Sequence, residues 1–232
     1  MSDVHPPEAD AGAVSAAPVS AVPLSAVPAD ARFITDEAAL RALHHAPMSR
    51  ATDKVLGALD KHCRAILTAS PFCVLATQGP GGADVSPRGD PPGFLRVIDD
   101  TNLLLPDRVG NNRFDNYANI LANPRVGLLV FVPGMEETLR INGTGRITDD
   151  PRLLAASAVQ GRAPKIGLLI QVEEAFVHCA KALVRSRLWD PEVRADRSQF
   201  ASYPQMLRDH VSGLTEEENE RQSRIMAQRG LY

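Results

Sequence analysis

The stretch VGLLVFVPGMEETLRINGTGRI, residues 126–147, decides the fold. Residues 126–132 form a continuous apolar run, which predicts a strand buried on both faces. Pro133-Gly134 then turns the chain. Residues 139–147 alternate between apolar or glycine positions and polar positions, which predicts a half-buried strand with one polar face. That polar face either lines a barrel mouth or faces solvent, and composition favours solvent.

Further strand patterns lie on both sides of this stretch. Residues 72–77 and 83–86 flank a glycine-rich turn and predict a hairpin, while residues 94–98 and 103–105 flank Asp99-Asp100, and residues 166–177 are largely apolar. The count is six or seven strands. Short turns between strands favour a small antiparallel barrel over a doubly wound sheet. We therefore expect a mainly β (α+β) fold with flanking helices.

Helical spacing and capping signals place the helices at the front, middle and end of the chain. Thr35 and Thr215 are predicted N-caps of the first and last helices. Helical spacing and other terminus signals predict further helices over 52–69, 111–122, a short stretch after Asp149-Asp150-Pro151, and about 179–187.

Length and composition predict a single folded domain preceded by a tail. Residues 1–30 are rich in Ala and Pro, which predicts a disordered tail, and residues 31–232 form the folded domain. The net charge of −3 and pI of about 6.1 argue against a nucleic-acid partner. No apolar run reaches the roughly 20 residues of a membrane span and no signal peptide is evident, so we expect a cytoplasmic protein.

The cysteines and histidines do not indicate a metal site. The three cysteines are far apart and show no C-x-x-C spacing, so free buried thiols are expected. His44-His45 has no carboxylate or cysteine at ligand spacing. Motifs of triad hydrolases, zinc proteases and P-loop enzymes are also absent from the sequence.

The stretch SPRGDPPGFLRVIDDTNLLLPDRVGNNRFDNYANILANP, residues 86–124, carries the candidate chemistry. It combines four arginines with glycine-rich turns and the start of a helix, all of which supply donors or positive potential to a phosphate. Gly110 lets backbone approach a ligand, and Asn111 or Asn112 is a candidate N-cap. Arg113 would lie in the first helical turn, where a bound anion offsets the unfavourable helix dipole. The alternatives are solvated arginines and an ordinary capped helix.

A second polar cluster follows the last predicted strand. His178, Lys181 and Arg185 share a face at helical spacing, with Ser186 beside them, and Trp189 could stack on a planar ring. The alternative is a packed tryptophan beside a solvated basic face.

Together these segments resemble a known family. The chain is similar to the pyridoxamine 5′-phosphate oxidase-like, FMN-binding split-barrel family from about residue 50 to residue 189. The segments that carry this resemblance are SPRGDPPGF, LLLPDRVGNNRFDNYANILANPRVGLLVFVPG, ETLRINGTGRI and HCAKALVRSRLW. The resemblance implies a six-stranded antiparallel split barrel that forms a homodimer with FMN at the subunit interface.

The resemblance also implies roles for individual residues. Arg88 would bind the flavin phosphate, and the backbone of Ser86 and Pro87 would approach the ring system. The implied contacts with the ribityl chain come from Pro106, Asp107 and Arg108. The residues that would complete the phosphate pocket are Asn111, Asn112, Arg113 and Asn116. The residues that would approach the flavin from the partner subunit are His178, Lys181, Ser186 and Trp189.

The chain departs from the true oxidase of that family. The R-x-V-L-L-K strand, whose lysine helps hold pyridoxal phosphate, is not recognisable, and the Ser-Arg-Lys phosphate motif is replaced by Phe114-Asp115-Asn116. We therefore expect an FMN-dependent oxidoreductase of unassigned small-molecule substrate, with His178 as the candidate proton relay. The alternatives are a non-enzymatic flavin or haem binder or sensor, a deazaflavin in place of FMN, and an oligonucleotide-binding barrel.

Overall fold

The computed structural model describes residues 27–230. These residues fall into two compact units divided after Pro47. The first contains helix α1 (Glu37–Ala42), which is capped by the Asp36 carboxylate rather than by the predicted Thr35. The predicted disordered tail lies outside the described residues except for positions 27–30.

The second unit is built on one antiparallel sheet of seven strands in the order β2-β1-β5-β6-β7-β4-β3. The strands are β1 (Phe72–Gly79), β2 (Gly82–Gly89), β3 (Arg96–Val97), β4 (Asn102–Pro106), β5 (Arg125–Phe131), β6 (Thr138–Thr148) and β7 (Gly167–His178). The predicted antiparallel split barrel with flanking helices is confirmed. The strand beyond the expected six is β3, which has two residues.

Alternate side chains of the long strands form a single core. Leu75 of β1, Leu128 of β5, Ile141 of β6, Ile170 of β7 and Leu105 of β4 all belong to one buried cluster. Five neighbouring strands thus contribute side chains to the same core. The expectation that the 126–132 run is buried on both faces is wrong. Its burial alternates, since an antiparallel strand needs cover on one face only.

A bulge between β6 and β7 depends on glycine. Asn142 pairs with Glu174, whereas Gly143 pairs with Val172, so one residue of β7 is left over. A Cβ atom at Gly143 would collide with the backbone carbonyl of Gln171. This close approach explains a glycine inside a long strand.

The helices of the second unit are α2 (Ser49–Thr52), α3 (Lys61–Ala69), α4 (Asp115–Ala122), α5 (Pro151–Leu154), α6 (Lys181–Ser186), α7 (Tyr203–His210) and α8 (Glu216–Arg229). The Thr215 cap of α8, the Asp150-Pro151 start of α5 and the helix near 179–187 are confirmed. Helix α7 was not predicted.

The predicted helix over 52–69 is wrong because its middle pairs with the sheet. Leu56 and Ala175 exchange two backbone hydrogen bonds, of 3.0 and 2.8 Å. Helix α3 begins only after Asp60, whose carboxylate accepts from the backbone N–H groups of His62 and Cys63. The apolar periodicity predicted one helix over 52–69, but the Leu56–Ala175 bridge keeps the first part of this stretch out of a helix. The Asp60 cap then sets the start of α3.

Candidate functional site

Strand β2 supplies the floor of the candidate site. Asp84, Ser86 and Arg88 lie on one face of this edge strand, opposite Thr77, Leu75 and Cys73 of β1 respectively. Because directly opposed residues of antiparallel strands share a face, these side chains lie on the core-facing side of the sheet. Pro87 falls on the other face and is exposed, so its side chain does not line the site.

The loop after β4 and the start of α4 close over this floor and leave a cavity of about 380 Å³. Of the predicted cofactor contacts, the cavity brings together Ser86, Arg88, Asp107, Arg108, Asn111, Asn112, Arg113 and Asn116. Gly110, where the sequence predicted a close backbone approach to a ligand, also lines the cavity, whereas Asp84, Phe114, Asp115 and Tyr117 were not predicted as contacts. The i+2 alternation along β2 could have found Asp84, and helical spacing from Arg113 could have found Tyr117.

Asn116 ties the helix to the sheet. It is 3% exposed, and its side-chain oxygen accepts hydrogen bonds from the Ser86 hydroxyl and from Arg88 Nη2, the latter at 3.1 Å. Its amide nitrogen donates to Thr77 Oγ1 at 2.9 Å. The oxygen and the nitrogen of this buried amide are thus both hydrogen-bonded within the chain. The role that this geometry indicates for Asn116 is to hold Arg88 in place.

Arg88 retains unused donor capacity. Its Nε atom is buried and has no hydrogen-bond partner among the described residues. Its Nη1 atom lies 3.6 Å from Asp107 Oδ1, and its guanidinium carbon lies 5.6 Å from the centre of the Tyr117 ring. A buried unsatisfied donor costs about 1–3 kcal/mol, so this one calls for an acceptor that a bound anion would supply.

Asp107 is a partly buried carboxylate at the same end of the cavity. Burial raises its pKa, while the Tyr117 hydroxyl, which donates to Oδ1 at 3.0 Å, and the Arg88 guanidinium act in the opposite direction. Burial also raises the pKa of Tyr117, and the Asp107 charge adds to that shift. The tyrosine therefore stays protonated and remains a donor.

Arg108 anchors the loop to two other segments. Its Nε lies 2.5 Å from Asp90 Oδ2, and its Nη2 donates to the Ser157 carbonyl oxygen at 2.9 Å. The Asp90 side chain is 2% exposed, which makes this a largely buried ion pair. Arg108 lines the cavity, but its contacts with Asp90 and Ser157 hold the chain end of β2 and the 155–157 turn together.

The loop before α4 uses left-handed backbone. Asn112 and Phe114 have φ angles of 59° and 58°. Helix α4 therefore begins at Asp115, later than predicted, and Phe114 rather than an asparagine occupies the N-cap position without a side-chain cap bond. Asn111 instead accepts from the Arg113 backbone N–H at 3.1 Å. Arg113 precedes the helix and pairs with Asp115 at 2.7 Å, so its predicted place in the first turn is wrong.

The remaining predicted contacts lie outside the cavity. Pro106 is buried at the end of β4, opposite Gly167. His178 ends β7, Lys181 begins α6, the Ser186 hydroxyl donates to the Leu183 carbonyl, and Trp189 Nε1 donates to the Met135 carbonyl at 2.8 Å. Within one chain the cavity is thus formed without this second cluster. Its assignment to a partner subunit stays a prediction.

The charges at the cavity are balanced rather than uniformly basic. Three arginines and three aspartates line it. Arg108 and Arg113 are each held by an aspartate at 2.5 and 2.7 Å, whereas Arg88 meets Asp107 only at 3.6 Å. Of the three arginines, Arg88 therefore has the most distant carboxylate partner. Among the described residues, no group of three or more His, Cys, Asp or Glu side chains could hold a metal ion.

The structure is an antiparallel split barrel with a cavity, lined by three arginines and three aspartates, between its edge strand β2 and helix α4. The sequence profile of the pyridoxamine 5′-phosphate oxidase family matches residues 59–179, more than half of the chain. The chain belongs to this family. The search of curated protein sequences returns no match.

Several solved structures are similar over about half of this chain. HupZ of Group A Streptococcus is 20% identical over 51% of this chain and 92% of its own, with a TM-score of 0.42. General Stress Protein 26 of Bacillus anthracis is 15% identical over 49% of this chain and 88% of its own, with a TM-score of 0.37. An F420 reductase is 22% identical over 50% of this chain and 94% of its own, with a TM-score of 0.36.

The cysteines and the described helices complete the comparison with the sequence predictions. Cys63 and Cys73 are buried free thiols as predicted, but Cys179 is exposed because it follows the end of β7. Among the helices described, none is both long enough and apolar enough to cross a membrane.

Proposed function

We propose that this chain is an FMN-binding flavoprotein that acts as a cytoplasmic oxidoreductase on a small-molecule substrate. The observation that carries the proposal is Arg88, a cation in a cavity with a buried Nε donor that no described residue satisfies. Membership of the pyridoxamine 5′-phosphate oxidase family supports a flavin as the ligand.

The residues present fit the phosphate and ribityl part of FMN. Arg88 offers its Nε atom, and the left-handed turns at Asn112 and Phe114 shape the loop backbone beside it. The carboxylates of Asp84 and Asp107 and the Ser86 hydroxyl are acceptors suited to ribityl hydroxyl groups. A cavity of about 380 Å³ is at the small end of the range of roughly 300–1,000 Å³ for ligand sites.

The small volume favours a ligand that extends beyond one protomer. We therefore propose a homodimer in which the flavin ring lies at the subunit interface and His178, Lys181, Ser186 and Trp189 approach it from the partner. In this arrangement one protomer binds the phosphate, and its partner excludes water from the ring. FMN, when bound, supplies hydride and electron transfer between the substrate and an acceptor.

A non-enzymatic flavin binder is the second candidate. It is favoured by the absence of a recognisable R-x-V-L-L-K strand, the strand whose lysine helps hold pyridoxal phosphate in the true oxidase. Turnover with NADH or NADPH and an electron acceptor distinguishes the two candidates. If the protein retains flavin but shows no turnover, and His178→Ala alters neither property, the non-enzymatic binder is supported.

The first experiment is an absorbance spectrum of the purified protein before and after FMN is added and the excess removed. Retention of one flavin per chain, sedimentation as a dimer, and loss of retention in Arg88→Ala are the expected results. Arg152→Ala, which changes an arginine 88% exposed on α5, is the matched control. Protein that takes up a deazaflavin or haem but not FMN contradicts the proposal.

A further inference from the structure

The buried side-chain amide of Asn116 is oriented by partners on both of its ends. Its oxygen accepts from Ser86 and Arg88, whereas its nitrogen donates to Thr77. The oxygen and the nitrogen of a side-chain amide are similar in size, so the hydrogen-bond partners decide which of the two faces Arg88. A guanidinium can only donate, so the reversed amide would turn its own donors toward Arg88 and lose that hydrogen bond.

Thr77 presents a buried acceptor to this amide. It is 5% exposed, and its Oγ1 atom accepts from Asn116 Nδ2 at 2.9 Å and from Asn119 Nδ2 at 3.2 Å. A hydroxyl oxygen has two lone pairs, and the two amides take up both. Because threonine is branched at Cβ, its χ1 angle is restricted, and the acceptor has a defined position on β1.

Helix α4 brings both amides to Thr77. Asn116 and Asn119 are three residues apart and therefore share one face of the helix. Gly79 on β1 leaves room for the second amide, since a Cβ atom there would collide with the Asn119 side chain. Phe114 gives α4 no side-chain cap bond, so the hydrogen bonds to Thr77 contribute to holding its first turn on the sheet.

Thr77 itself stays outside the lining of the cavity, whereas Asn116 and Arg88 both belong to it. An influence of Thr77 on a ligand in this cavity therefore passes through the Asn116 amide. Arginine has many rotamers, and a side chain that is already held when the ligand arrives loses less freedom on binding.

We propose that Thr77 is a positioning residue of the candidate site. Its hydroxyl fixes the Asn116 amide with the oxygen toward Arg88. That oxygen holds Arg88 Nη2, while the Nε donor keeps no partner among the described residues and is left for an anion. This proposal rests on the proposed function in one respect: if the cavity holds FMN, the anion is its phosphate group.

The test compares FMN with riboflavin, which lacks the phosphate, in fluorescence titrations of the full-length protein. Thr77→Val keeps the shape of the side chain and removes the acceptor. We expect it to weaken FMN binding about fivefold, the equivalent of one ordinary hydrogen bond, and to leave riboflavin binding unchanged. A general loss of structure at the site would instead weaken the binding of both flavins.

Two further variants make this comparison specific to the Thr77 hydroxyl. Thr77→Ser keeps the hydroxyl and should bind FMN as wild type does. Thr68→Val is the matched control, because it removes a hydroxyl that donates to the Arg64 carbonyl at 2.8 Å, outside the cavity. Thr77→Ala, which puts no methyl group in place of the hydroxyl, replaces Thr77→Val if that variant does not fold.

A second measurement needs no flavin. Exchange of the Asn116 side-chain amide protons with solvent is followed by NMR of the ¹⁵N-labelled, flavin-free protein. Their signals are assigned by their absence from Asn116→Asp. The exchange should be slow in wild type and Thr77→Ser, and at least about tenfold faster in Thr77→Val, which lacks the acceptor.

Three outcomes overturn the proposal: a ratio of FMN to riboflavin affinity in Thr77→Val within about twofold of wild type, the same loss of FMN affinity in Thr77→Ser, or unchanged exchange of the Asn116 amide protons. Wild-type protein that binds no flavin, together with faster exchange in Thr77→Val, refutes the proposed cofactor and supports the positioning role. Wild-type protein that binds FMN, with both readouts unchanged in Thr77→Val, does the reverse.

Discussion

Replacing Arg88 with alanine is expected to weaken FMN binding strongly and to leave the barrel folded. Within the described chain this side chain makes one hydrogen bond of 3.1 Å to Asn116, a loose ion pair of 3.6 Å with Asp107, and a contact with the Tyr117 ring. Its Nε makes no hydrogen bond there. Part of the hydrogen-bonding capacity of Arg88, its Nε donor, is therefore unused within the described chain.

The two effects of the substitution differ in size. A hydrogen bond to a charged group contributes about 1.5–3 kcal/mol, so the dissociation constant of FMN should rise roughly 10- to 150-fold. The free energy of unfolding of the flavin-free protein should fall by only about 1 kcal/mol, because the loss of the Arg88–Asn116 hydrogen bond and of a weak ion pair is offset in part by removal of the buried, unsatisfied Nε. Asn116 also keeps its hydrogen bonds to Ser86 and Thr77.

Quenching of flavin fluorescence measures the dissociation constant, and urea unfolding without flavin measures stability. Arg88→Lys keeps the charge but not the planar fork, so its affinity should lie between those of wild type and Arg88→Ala. If Arg88→Ala binds FMN within threefold of wild type while Arg152→Ala does the same, the phosphate-binding role of Arg88 is refuted.

Three further predictions concern the site, the bulge and the thiols. Burial holds the pKa of Asp107 above its ordinary value of 3.8. The contribution of protonated Asp107 to the free energy of unfolding is therefore complete below pH 3.8 and is lost as the pH rises through the raised pKa. Asp107→Asn should flatten this pH dependence, as measured by urea unfolding. Gly143→Ala should destabilise the protein by about 3 kcal/mol, because a Cβ atom there meets strand backbone. Burial raises the pKa of Cys63 to about 11 and of Cys73 to about 12, so a thiol reagent at pH 8 should modify only Cys179 in the folded protein.

Each of these has a clear contrary result. If the free energy of unfolding depends on pH in the same way in Asp107→Asn and in wild type, the claim that burial raises the pKa of Asp107 is contradicted. Gly81→Ala is the control for the bulge, since nothing lies within 4 Å of a Cβ atom there, and equal stability of the two glycine variants contradicts the clash. Modification of more than one thiol before unfolding contradicts the burial of the other two.

The strands were predictable because their signals are local. The alternation over 139–147 and the apolar run at 126–132 each predicted a strand, and both are strands of the sheet, although the run alternates in burial. The boundaries of α3 and α4 were not predictable in the same way. Leu56 pairs with Ala175, which is far away in sequence, and the late start of α4 depends on left-handed backbone at Phe114, a residue type that rarely adopts it.

The candidate site was predictable in its residue types but not in its internal pairing. Arginines beside turn glycines and a helix start indicated the cavity around Arg88. The sequence could not distinguish an arginine left available to a ligand, such as Arg88, from one engaged by the protein, such as Arg108. That distinction depends on Asp90, Asp107 and Asn116 meeting these arginines across the fold.

The buried ion pair between Arg108 and Asp90 has a consequence for how a ligand arrives. The loop after β4 is fastened to the end of β2 and to the 155–157 turn by contacts that need no ligand. The amide hydrogen of Asp107, which is bonded to the Ile166 carbonyl, should therefore exchange slowly in the flavin-free protein. A ligand would meet an ordered surface, lose no affinity to loop ordering, and leave at a rate set by its own contacts.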